Sequence, residues 1–174
     1  MTVVSPTLSN QLDKSWVDRL LPALNALIAD FEMVRFNVRS ARWNGWGEHY
    51  PTMVEVLPAY QRHADQAVEI LAKRVRCMEG QPPSTLTAIL EHARIGASDG
   101  AIHYRTCMKM LRESLTHLLK EEREVLTLAQ HGGDEVTAQG LTSLMAFQEE
   151  CLWNLRSSLR RSAFETEYLS GTME

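Results

Sequence analysis

At 174 residues, 44% of them hydrophobic and 23% charged, with only 9 Gly and 6 Pro, the chain has the makeup of one compact globular unit, which argues against a disordered or fibrous protein. A net charge of -4 gives no overall pull toward nucleic acid, because duplex binding draws on Lys and Arg, and no apolar run approaches the roughly 18 residues of a membrane span. Three cysteines, Cys77, Cys107 and Cys151, lack CxxC spacing; they argue against a disulfide framework or zinc site and read as buried reduced thiols.

The opening stretch, Met1 to Gln11, has no basic region followed by an apolar one, so the expected location is cytoplasmic. Leu20, Leu24, Leu27, Phe31, Val34 and Val38 then recur at steps of three and four, which predicts a long first helix from about Ser15 to Arg42. Gly45 and Gly47 end it. Pro51 suits the first turn of a second helix that continues to about Glu79, with Pro58 expected to kink it or lengthen its irregular start. After Gly80, Pro82 and Pro83, the segment Ser84 to His92 is expected to form a few helical turns. Ser98 or Asp99 is the expected cap of a third long helix, whose stripe is Met108, Leu111, Leu115, Leu118, Val125 and Leu128. Gly132 and Gly133 end that helix, and Asp134 caps a fourth carrying Leu141, Leu144, Met145, Leu152, Leu155 and Leu159. The expected fold is all-α: a four-helix bundle over residues 15–162, with one long crossover containing a short helix, the ferritin-like arrangement. Residues 1–14 and 163–174 are expected to be tails.

Trp43-Asn44 with Gly47, then Ala72, Arg74 and Gly80, followed by a short crossover helix near Thr85 to His92, Thr137-Ala138 and Trp153, resemble the signature of the Dps or mini-ferritin family. The resemblance runs from Leu24 to Leu159. It implies a dodecameric shell that takes in ferrous iron, oxidises it and stores the mineral. It also implies an oxidation site between twofold-related chains, built from histidines and acids, the ligand types that iron takes.

At the matching positions this chain departs from the pattern. Arg42 and Val54 stand at the histidine positions and Pro58 at the neighbouring acid. Glu69 and Lys73 stand where the partner chain would supply an Asp and a Glu. Only Glu69 keeps a ligand-capable side chain, while Arg and Lys are cations with no lone pair to offer. The family's ferroxidase site is therefore expected to be degenerate, with no bound catalytic metal, and iron is expected only as stored mineral. An ion-pair cluster of Arg42 with Glu69 and Asp65 across a dimer is the expected replacement. His49, His63 and Asp65 are an alternative, displaced metal site, against the plainer reading of polar surface residues.

Other candidates have plainer readings. No Glu-x-x-His of a di-iron bundle occurs, and Glu113 with His117 reads as a surface contact. Tyr60, Trp43 and Trp46 read as packing rather than as radical sinks. Asp134, Glu135 and Glu149 suit the start and length of the last helix, which lines the pores in the family, where Gln139 replaces a frequent acid. Arg156, Arg160 and Arg161 suit a helix C-terminal end, and the first fifteen residues hold only Lys14, so DNA binding is not expected. The implied role is a stress-related iron store. The alternative is a structural shell protein that co-assembles with an active paralogue.

Overall fold

The computed structural model describes residues 10–98 and 102–171, and the side chains among them as far as Ser157. Four long helices and one short one follow in order: α1 (Lys14–Asn44), α2 (Tyr50–Cys77), α3 (Leu86–His92), α4 (Tyr104–His131) and α5 (Glu135–Gly171). The bundle pairs α1 with α2 and α4 with α5, closes through α1 on α4 and α2 on α5, and lays α3 against α1. Helix α5 continues through most of the segment assigned above to a tail. Among the described residues no helix is long and apolar enough to cross a membrane.

Asp13 caps α1 by accepting from the Trp16 amide at 2.9 Å. The six stripe residues of α1 are all buried, as are Leu111, Leu115, Leu118 and Val125 of α4. Helix α2 is continuous from Tyr50 through Pro58, so no irregular start appears. Pro22 stands inside α1 at an exposed position, where the carbonyl it leaves unbonded faces the solvent side.

The turns are fixed by side chains from other helices. Gly47 has φ +118°, and a Cβ there would come within 2.8 Å of the His103 and Tyr104 rings. Beside it, Trp46 N–H donates to the Ile102 carbonyl (3.1 Å) and Tyr104 N–H donates to the Trp46 carbonyl (2.9 Å), tying the first turn to the start of α4. Gly132 lies flat against the Trp16 indole, whose Nε1 donates to the Leu128 carbonyl at 3.0 Å. Arg74 of α2 reaches Asp134 (3.0 and 3.1 Å) and Thr137 Oγ1 (3.0 Å), while Asp134 Oδ1 accepts from the Thr137 amide. Asp134 thus caps α5 and joins it to α2.

Two buried polar residues of α1, two turns apart, hold the crossover. Asp30 accepts the backbone N–H groups of Arg94 (2.6 Å) and Ile95 (3.2 Å) and the Arg94 guanidinium (2.7 Å), with His117 Nε2 at 3.0 Å. Arg94 also pairs with Glu121. Asn37 accepts from Ser98 N–H and donates to the Gly96 carbonyl, both at 2.8 Å. Ser98 is tied to α1 through its backbone, six residues before the first residue of α4, and does not cap that helix. The cap is His103, whose Nδ1 accepts from the Arg105 amide at 3.3 Å; Asp99 lies outside the described residues. The Glu113–His117 contact expected from spacing is also replaced, since Glu113 lies 3.9 Å from Lys109 and His117 turns to Asp30.

The core holds one further polar pair, Glu122 of α4 and Gln148 of α5. Both are fully buried, and neither side chain has a hydrogen-bond partner among the described residues. Burial pushes the Glu122 carboxyl up from 4.5 to about 8, with smaller opposing contributions from Gln148 and Arg123.

Asp30→Ala leaves the crossover amides and Arg94 without their acceptor. It is expected to lower stability by about 3–5 kcal/mol, read as a fall in the urea midpoint at unchanged m. Because the folded-state pKa of Glu122 is raised, its contribution is fully present below pH 4.5 and is lost as pH climbs through about 8. Glu122→Gln should remove a loss on the order of 4 kcal/mol between those limits, visible as a flatter stability profile in melts from pH 5 to 9.

Candidate functional site

The positions singled out for metal chemistry lie on α1 and α2. Val54, Pro58, Asp65 and Glu69 follow one another at helical spacing and, with Gln61, form one stripe of α2; Lys73 continues it with a drift. Arg42, in the last turn of α1, donates from Nη1 to Gln61 Oε1 at 3.0 Å, and its carbonyl accepts the Tyr50 hydroxyl at 2.5 Å. Its Nε is buried without a partner among the described residues. Further along, Arg35 bridges Glu32 (2.6 Å) and Asp65 (3.2 Å), and Glu69 pairs with Lys73 at 3.2 Å on an exposed face.

Within one chain the residues of the ion-pair cluster expected across a dimer make separate contacts. Arg42 takes Gln61, Asp65 takes Arg35, and Glu69 takes Lys73. Gln61 and Arg35 were not singled out from sequence, although Gln61 lies three residues from Pro58 and four from Asp65, and Arg35 two turns before Arg42. Val54 and Pro58 are half-buried and bring no donor.

His49, His63 and Asp65 do not converge. Along one helix, residues 49 and 63 are separated by a rise of roughly 21 Å, and Asp65 lies on the opposite side of α2 from His63. His49 is exposed and meets the Tyr104 ring edge-on (5.1 Å). His63 is buried, stacked on Phe147 at 4.4 Å and edge-on to Phe31 at 6.0 Å. Burial holds its imidazole down at about 4, so it is neutral at ordinary pH. Among the described residues no group of three or more His, Cys, Asp or Glu side chains is placed to hold a metal ion.

The aromatic and thiol candidates divide by location. Tyr60 is buried against Phe147, and burial followed by Cys151 raises its phenol well above the usual range. Cys107 and Cys151 are buried and reduced, with burial pushing the Cys107 thiol up to about 12; Cys77 is exposed, contrary to expectation, because it ends α2 beyond the core. Trp43 and Trp46 are exposed within the chain and do not pack in the bundle, although Arg39 lies 5.5 Å over the Trp43 ring and the Trp46 ring meets His103 edge-on at 4.7 Å. On α5, Asp134 is buried in its pair with Arg74, Glu149 pairs with Arg123, and Glu135, Gln139 and Arg156 are exposed. The side chains of Arg160 and Arg161 lie outside the described residues.

With this geometry in view, the comparisons with known proteins are consistent among themselves. The profile of the ferritin-like domain matches residues 21–163. The DNA protection during starvation protein of Brevibacillus brevis is 26% identical over 136 residues, covering 78% of this chain and 91% of its own. General stress protein 20U of Bacillus subtilis is 22% identical over 142 residues, covering 82% and 98%. Among solved structures, a DPS protein from Vibrio cholerae O1, described as one of the ferritin-like diiron-carboxylate proteins, superposes with a TM-score of 0.79 at 26% identity over 91% of this chain and 99% of that one. A Dps protein from Bacillus brevis gives 0.80 at 26% identity over 83% and 97%.

Proposed function

The chain belongs to the ferritin-like family, in its Dps or mini-ferritin branch, and from that premise we propose that it is a shell subunit for iron sequestration under stress that lacks the family's intersubunit ferroxidase centre. The observation that carries the reading is the state of the ligand positions. Arg42 and Lys73 bring fixed positive charge, each already engaged by an uncharged or acidic neighbour, and Val54 and Pro58 bring no donor atom. Glu69 alone is left to offer oxygen, and it is engaged by Lys73. These residues do not fit an iron pair. Ferrous iron approaching the α1–α2 stripe meets cations where imidazole and carboxylate would be needed.

Assembly into a homo-oligomeric cage, dodecameric as in the family, is supported by the apolar surface that one chain leaves open. Phe36, Trp43 and Trp46 towards the end of α1, and Leu86 and Leu90 on α3, are exposed on the single chain and available to neighbouring subunits. Aerobic addition of ferrous iron to the assembled protein tests the proposal. Uptake should run no faster than oxidation in buffer alone, yet end with mineral inside the shell, seen by electron microscopy. Combining Arg42→His, Val54→His, Pro58→Asp and Lys73→Glu should speed oxidation by about tenfold or more, the effect of lowering the barrier by about 1.4 kcal/mol. Rapid oxidation by the unaltered protein would refute the loss of the centre. A shell that stays empty would transfer support to a purely structural subunit assembling with an active paralogue.

A further inference from the structure

The α1–α2 turn meets the start of α4 in a cluster built around one imidazole. His103 Nδ1 accepts from the Arg105 amide at 3.3 Å, capping α4, while the other ring nitrogen, Nε2, lies 3.5 Å from Glu48 Oε2 in the turn. The ring is wedged beside Gly47, where a Cβ would come within 2.8 Å of Nε2, and it meets the Trp46 indole edge-on at 4.7 Å. Glu48 Oε1 accepts from the Tyr104 hydroxyl at 3.2 Å and lies 3.8 Å from the Arg105 guanidinium. Two backbone hydrogen bonds, from Trp46 N–H to the Ile102 carbonyl and from Tyr104 N–H to the Trp46 carbonyl, hold the same junction without any side chain. Among the described residues, the charged and titratable groups facing His103 are therefore Glu48 from the turn and Tyr104 and Arg105 from α4, with His49 edge-on to the Tyr104 ring at 5.1 Å.

An imidazole fills both roles only when neutral, because accepting at Nδ1 requires a lone pair there and places the proton on Nε2, toward Glu48. Protonation takes that lone pair. The new N–H confronts the Arg105 N–H, and the new charge sits at the positive end of the α4 dipole, so the cap is lost. The same charge strengthens the contact with Glu48. That carboxyl is held below the usual range, first by a backbone hydrogen bond and then by Tyr104 and His103, so it stays ionised over the range in which histidines titrate.

We propose that His103 is a proton-driven switch that exchanges the cap of α4 for an ion pair with Glu48. With the ring neutral, α4 is capped from its first turn. With the ring charged, that first turn frays while the backbone bridge and Glu48 keep the α1–α2 turn attached. The device is independent of whether iron is oxidised, since it shares no residue with the α1–α2 stripe.

Residue-resolved hydrogen–deuterium exchange of the assembled, full-length protein at pH 7.5 and 5.5, corrected for the intrinsic rate at each pH, is the test. Protection of the Arg105 amide should fall by about fivefold or more between the two, the effect of losing a helix cap, while the Trp46 and Tyr104 amides change by less than about twofold. His103→Asn supplies an acceptor at every pH and should abolish the fall at Arg105. Glu48→Gln removes the charge from an exposed side chain, keeps an acceptor for the Tyr104 hydroxyl and should move the fall to lower pH. An Arg105 amide indifferent to pH, an equal fall in His103→Asn, a fall at unchanged or higher pH in Glu48→Gln, or equal loss of protection at Trp46 and Tyr104 would overturn the proposal.

Discussion

The fold turns on one buried carboxylate. Asp30 lies in the middle of α1, fully removed from solvent, and the groups that satisfy it come from the crossover and from α4. An isolated carboxylate at that depth is untenable, so the connection between α2 and α4 must return to α1 for the bundle to close. Asn37 repeats the device two turns later with Gly96 and Ser98, and the Trp46 bridge to residues 102–104 fixes where α4 begins. The long connection is therefore specified by α1, and the ferritin-like topology follows from where its polar partners lie.

The α1–α2 stripe illustrates a different economy. Metal binding needs several donors to converge within about 2.0–2.2 Å of one point, whereas ion pairs need only a neighbour. Here Arg35, Arg42 and Lys73 each find one on their own chain, by steps of three or four or by facing across the helix pair. Exposed pairs of this kind contribute roughly 0–1 kcal/mol. The fold does not depend on them, so the helices would stay in place whatever side chains these positions carried.

That separation also explains what was legible in sequence. Helix positions followed from apolar spacing, and the residues carrying the family resemblance have structural duties: Gly47 admits the His103 and Tyr104 rings, Arg74 ties α2 to Asp134 and Thr137, and Gly80 packs on Leu21. Such residues report fold, not chemistry. The Asp30 network was missed because its partners are more than sixty residues away, although an Asp and an Asn inside the apolar stripe of α1 were a visible signal. The His103 cap was hidden in the same way, since Asn37 ties the Ser98 backbone to α1 and α4 begins only at Tyr104.

The titratable groups inside the bundle show where its chemistry can lie. His63 has its imidazole pKa lowered, so the neutral ring contributes stability above pH 6.5 that is lost as pH falls toward 4. Glu122 is raised by the same desolvation, and Cys107 is raised to about 12, so at neutral pH the imidazole and the thiol are uncharged and the carboxyl is largely protonated. The buried carboxylates Asp30, Asp134 and Glu121 are each held against an arginine. Protonated thiols are poor nucleophiles and poor metal ligands, and a protonated carboxyl is no cation trap. Apart from the paired carboxylates, charge in the described bundle is carried on its faces, as on the α1–α2 stripe, where Arg35 with Glu32 and Glu69 with Lys73 pair within one chain.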